Sequence, residues 1–94
     1  MPFSRLVFRV HALRRIAQRS ISIAEVRQVL TTGTVIEDYP QDTPYPSYLM
    51  LGIVAGRPLH VVAGDNVADQ ETIVITTYEP DPSQWTPDFT RRRP

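Results

Sequence analysis

The sequence predicts an α+β domain, with two N-terminal helices packed on a curved antiparallel sheet of three to four strands. Three observations carry this. Apolar residues recur at helical spacing from His11 to Arg19 and again after Ser22. From Thr34 onward the pattern changes to short β-rich runs at 34–39, 47–54, 59–63 and 72–78. Turn-forming stretches separate those runs, at 40–46, 55–58 and 64–71. With 94 residues and 41% hydrophobic content, the chain reads as one domain spanning 1–94, in which 80–94 form a docked C-terminal segment and tail.

Residues 5–10, Arg-Leu-Val-Phe-Arg-Val, alternate in character and form a short first strand or an extended lead-in. In the first helix Leu13, Ile16 and Ala17 make the apolar stripe, with the arginines opposite. Ser22 and Glu25 have the spacing of a capping box, which starts the second helix. That helix buries Ile23, Val26, Val29 and Leu30, and it ends at Gly33 as a left-handed cap. The loop 40–46 holds three prolines and cannot enter a sheet interior.

A two- or four-residue turn centred on Gly56-Arg57 pairs Val54 with Leu59 and Ile53 with His60. One hairpin face then carries Leu49, Leu51, Ile53, His60 and Val62. The other carries Tyr48, Met50, Val54, Leu59, Val61 and Ala63. Both faces are apolar, so both need cover. The helices cover one. The C-terminal segment with Trp85 and Phe89, or a second copy of the chain, covers the other.

Composition narrows the function classes. No apolar run reaches the ~20 residues of a membrane span, and no leader pattern is present, which points to a cytoplasmic protein without a membrane partner. With no cysteine there is no disulfide framework and no thiolate ligand or nucleophile. Neither a metal nor a cofactor is expected: Asp38 with Asp42 lacks a third ligand, and Asp65, Asp69 and Glu71 read as a solvated loop. The ten basic and ten acidic residues cancel. All ten basic residues are arginine, and six precede Glu37, where the only acid is Glu25. Arginine without lysine suits bidentate contact with phosphate or carboxylate, and it is equally the product of a GC-rich genome.

The chemistry concentrates in His11, Arg15 and Arg19, spaced four apart with about 6 Å of rise between neighbours. An imidazole beside two guanidiniums can exchange a proton and hold a phosphate. His60 is the only other histidine. Metal-independent RNA cleavage needs a base, an acid and cations for the phosphorane; His11, His60, Arg15 and Arg19 fill those roles, with Tyr78 or Thr76 assisting. Each has a structural alternative. His11 can bond nearby backbone at a helix start, His60 can be a half-buried strand residue, and Arg19 can complement the helix C-terminus. The run Arg91-Arg92-Arg93 reads as a solvated tail.

The chain resembles the domain of unknown function 4258 family. The resemblance rests on residues 11–22, His-Ala-Leu-Arg-Arg-Ile-Ala-Gln-Arg-Ser-Ile-Ser, and on 35–39, 44–47, 57–62, 75–82 and Trp85. Ser20 departs from it, since glycine is common there. The family is similar in element order to the RelE- and BrnT-type ribonuclease toxins. That implies a RelE-like fold, a small bacterial endoribonuclease of a toxin–antitoxin pair, RNA or the ribosome as target, an antitoxin as partner, and His11, Arg15, Arg19 and His60 in the site. The alternative is a non-catalytic interaction module that forms a homodimer or binds a small partner. Zero net charge favours the module, and the clustered arginines favour the nuclease.

Overall fold

In the computed structural model, which describes residues 2–94, seven elements follow in chain order. They are β1 (Arg5–Phe8), α1 (Val10–Gln18), α2 (Ile23–Thr32), β2 (Thr34–Tyr39), β3 (Ser47–Val54), β4 (Arg57–Asn66) and β5 (Glu71–Tyr78). The strands form one sheet in the order β1-β5-β4-β3-β2. β1 runs parallel to β5, and every other neighbouring pair is antiparallel. The expected RelE-like antiparallel sheet of three to four strands is therefore corrected to a mixed sheet of five. The reason is the pairing of Arg5 with Glu71 and of Phe8 with Val74. Alternation marks the run locally, but its parallel partner lies far along the chain and no local pattern names it.

The capping box forms as read. Glu25 N–H donates to Ser22 Oγ at 3.0 Å, and Ser22 N–H donates to Glu25 Oε1 at 2.8 Å. α2 buries Val26, Val29 and Leu30 completely, whereas Ile23 is 49% exposed. In α1 the buried positions are Ala12 and Ile16; Leu13 and Ala17 lie outward. Both stripes satisfy helical spacing. The one used places the small Ala12 against the sheet, so that the helix can lie close to β5.

Gly33 does end α2, but with φ −79° and ψ −175°, an extended rather than left-handed geometry. Its need for glycine is steric: a Cβ there would lie 2.5 Å from the Leu51 carbonyl oxygen of β3. The left-handed position falls instead at Ser20, φ 54°, in the turn between the helices. This is the site where the resemblance expects glycine.

The β3–β4 turn is Ala55-Gly56, both at positive φ, the geometry of a tight two-residue hairpin. It pairs Val54 with Arg57, Gly52 with Leu59 and Leu51 with His60. The register thus differs by two residues from the expected one. An even shift keeps every side chain on its face. Met50, Val54, Leu59, Val61, Ala63 and Val74 meet Ala12, Ile16, Ile21, Val26, Val29 and Leu30 in one core.

The opposite face carries Leu49 and His60, and residues 84–93 close over it as a small hairpin. Arg93 N–H donates to Gln84 O and Thr86 N–H to Arg91 O, both at 2.8 Å. Trp85 is 2% exposed, and the Arg92 guanidinium stacks on its ring at 4.7 Å. Arg93 Nε donates to Pro82 O at 2.9 Å. The terminal arginines are exposed, in keeping with the solvated tail the sequence suggests, and they are also tethered.

Leu30→Asp or Val29→Asp places an unpaired charge in the core between α2 and the sheet. We expect each to lose about 3 kcal/mol or more. Thermal unfolding followed by circular dichroism checks this; an unchanged midpoint would contradict the packing of α2.

Candidate functional site

A ladder at i, i+4 and i+8 does not stay on one face of a straight helix. Each step of four residues turns it by about 40°. Starting from exposed His11, the ladder on α1 winds toward the sheet, so Arg15 and Arg19 are half-buried. Arg15 Nε donates to His11 Nε2 at 3.4 Å, a long contact that requires a lone pair on that nitrogen. Arg19 leaves the ridge, and its Nη1 donates to the Thr77 carbonyl at 2.7 Å. Thr77 lies beyond Val74, where β1 no longer pairs with β5. Arg19 thus ties α1 to the sheet through one of its five N–H donors.

Arg57 completes that corner. Its Nη1 and Nη2 donate to the carbonyls of Ser20 and Arg19, each at 3.0 Å. It also lies 3.8 Å from Glu25 and 3.6 Å from Glu79. A guanidinium at the C-terminal end of a helix satisfies carbonyls that the helix leaves unpaired. Sequence reasoning gave Arg57 no role beyond the turn, because its partners come from three separate segments.

His60 is fully buried on the far side of the sheet. Its Nε2 lies 2.9 Å from the Phe89 carbonyl, so Nε2 carries the proton and donates. Nδ1 then accepts from the Tyr78 hydroxyl at 3.3 Å. The Trp85 ring meets the imidazole edge-on at 4.4 Å. Burial pulls the His60 pKa below its usual value, and the positive Arg92 adds to this. The Phe89 bond and Glu37 act the other way without reversing it. Burial raises Tyr78 as well. On β2, Tyr39 donates to the Glu37 carboxylate, and burial together with that bond pushes its phenol up to about 12. Glu37, Tyr39 and Arg92 did not stand out in the sequence; the alternation Glu37-x-Tyr39 on a strand was the available signal.

The structure brings His11 to Arg15 and His60 to Tyr78, but it does not bring the two histidines together. α1 packs through Ala12 and Ile16 on the face that holds Val61 and Val74. His60 lies between Leu59 and Val61 in the strand and therefore points the other way. Among the described residues no cluster of three or more His, Asp or Glu is placed to hold a metal ion. None of their helices is long and apolar enough to cross a membrane.

What α1 presents outward is mixed. Val10 is 65% and Leu13 43% exposed, next to exposed Arg9 and Arg14. The ion pairs among the described residues involve Arg5 and Arg57 only, so Arg9, Arg14 and Arg15 have no carboxylate partner.

The family model described as Domain of unknown function (DUF4258) matches residues 8–79, well over half of the chain. The chain belongs to the DUF4258 family. The match takes in α1, His60 and Tyr78 and ends before the 84–93 hairpin. No curated protein and no solved structure matches this DUF4258 chain. The family description itself names no activity.

The buried imidazole sets a pH dependence. The folded state holds His60 neutral, with its pKa lowered, while in the unfolded chain it titrates near 6.5. The unfolded state therefore takes up a proton first as pH falls. Stability from this site is complete above about pH 6.5 and declines on acidification below it. We expect a lower unfolding midpoint at about pH 5.5 than at about pH 7.5, on either side of the ordinary histidine pKa, and a weaker dependence in His60→Gln. Equal dependence in the two proteins would contradict the assignment.

Proposed function

We propose that the protein is a non-catalytic interaction module whose working surface is the outward face of α1. The partner it fits is a protein segment that carries carboxylates beside apolar side chains. The supporting observation is that Val10 and Leu13 stand exposed within one turn of Arg9 and Arg14, which have no acid partner among the described residues. Phosphate alone would use the guanidiniums and leave the aliphatic pair in water; an acidic amphipathic segment uses both. A small antitoxin and a second copy of the chain are the two partner classes to which this surface is open.

The endoribonuclease reading keeps one observation in its favour, the Arg15–His11 contact on an exposed ridge. Against it stands His60, with both ring nitrogens engaged and no exposure, so a second imidazole does not join the ridge.

Binding of a labelled amphipathic Leu/Glu peptide and of a single-stranded RNA separates the two readings. We expect the peptide to bind, and Leu13→Ser and Arg14→Ala each to weaken it about tenfold. RNA binding that ignores Leu13 and falls steeply with salt would favour a phosphate-reading surface. Incubation with RNA in chelator, free and with ribosomes, checks catalysis. We expect no cleavage, whereas cleavage abolished by His11→Ala and reduced by Arg15→Lys would install the nuclease reading.

A further inference from the structure

At the loop end of the sheet Tyr48 pairs with Ala63 and Asp65 with Thr72. A cavity of about 530 Å³ opens there, lined by Pro40, Pro46, Val67, Tyr48, Asp38 and Asp65 among others. That volume lies in the range of small-molecule sites. Its rims are tied before any ligand arrives. Asn66 Nδ2 donates to the Tyr45 hydroxyl at 3.0 Å and to Asp69 Oδ2 at 2.9 Å, and Ser47 Oγ donates to Asp42 Oδ2 at 2.5 Å. The prolines stiffen one wall further.

The two carboxylates differ in setting. Asp65 Oδ1 accepts from Tyr48 at 3.0 Å and from Thr72 at 2.8 Å, which holds the carboxylate in place. Its Oδ2 takes no bond from the protein, and no buried side-chain polar atom among the described residues lacks a partner, so Oδ2 faces solvent. Asp38 is exposed and enters no ion pair among the described residues. No basic residue lines the cavity. The Tyr48 phenol stays protonated, since burial and then Asp65 raise its pKa, and its ring adds an aromatic face.

We infer that this cavity is a binding site for an organic cation, an alkylguanidinium or alkylammonium, whose charge meets Asp65 Oδ2 and Asp38 and whose alkyl stem lies along Pro40, Pro46 and Val67. A hydrated metal ion does not fit the same walls, because apolar surface leaves its water shell without partners. The cation can be a free small amine or an arginine or lysine side chain on another protein; the chemistry is shared. The site is independent of the α1 surface and stands or falls separately.

Calorimetric titration of the whole protein tests it with three probes: agmatine, acetyl-arginine N-methylamide and the neutral acetyl-citrulline N-methylamide. We expect at least one of the two cations to bind and the citrulline compound not to. Agmatine binding alone identifies a free amine as the source, and binding of the arginine derivative alone identifies a protein-borne side chain. Asp65→Asn, which still accepts from Tyr48 and Thr72, should weaken the bound cation at least about tenfold. Asp38→Asn, at an exposed position with no partner to lose, should weaken it about threefold and leave the melting temperature unchanged. The inference is overturned by any of three results: no binding by either cation up to about 10 mM, citrulline binding as well as arginine, or unchanged affinity in both variants.

Discussion

β3 and β4 are apolar on both faces, and most of this structure follows from the need to keep water off both at once. Leu59 and Val61 on one side and Leu49 on the other are essentially inaccessible to solvent. Each fully buried aliphatic side chain of this size contributes about 1.5–3 kcal/mol, so exposing either face would remove a large part of the stability of so small a domain. The two helices cover one face. The other is covered around His60 by a hairpin of only ten residues, 84–93, anchored by Trp85, while Ile53 on the same face stays 58% exposed. Part of a surface the sequence offers equally to a second subunit is thus taken by the chain's own C-terminal segment.

That arrangement decides what His60 can be. A polar ring in a buried strand position must have both nitrogens satisfied, because an unpaired one costs about as much as a lost hydrogen bond. Tyr78 and the Phe89 carbonyl supply the partners. The imidazole is held in one tautomer and removed from solvent, and it becomes a fastener for the hairpin. The same geometry gathers half-buried Glu37 and Tyr39 and the exposed Arg92 around it, so only the imidazole of this chemically varied cluster lies fully under cover.

Charge is separated along the molecule even though it sums to zero. Unpaired arginines sit on α1, and the loop end of the sheet carries Asp38, Asp42, Asp65 and Asp69. Local potential, rather than net charge, governs what each end attracts. Our two proposals follow this division, with an acidic partner at the helix and a cationic group at the loops. Arg57, bonded to the α1–α2 turn and facing Glu25 and Glu79, is structural, as is the bond of Arg19 to Thr77.

The legible part of the fold was the part written in short-range pattern. Ser22 and Glu25 three residues apart specify a capping box whatever lies around them, and Gly56 marks a tight turn. Alternation along β3 and β4 assigned every side chain to its face, and this survived a two-residue error in register because strand periodicity is two. Helical spacing likewise placed His11 beside Arg15. What the sequence left open depended on contacts between distant segments. The parallel pairing of β1 with β5, the choice of Ala12 over Leu13 for the buried side of α1, and the close approach that makes Gly33 necessary are all decided by what the far partner is. The separation of His11 from His60 belongs here as well. Spacing placed each on its own element, but only the packing of α1 through Ala12 and Ile16 against Val61 and Val74 determined that a sheet stands between them.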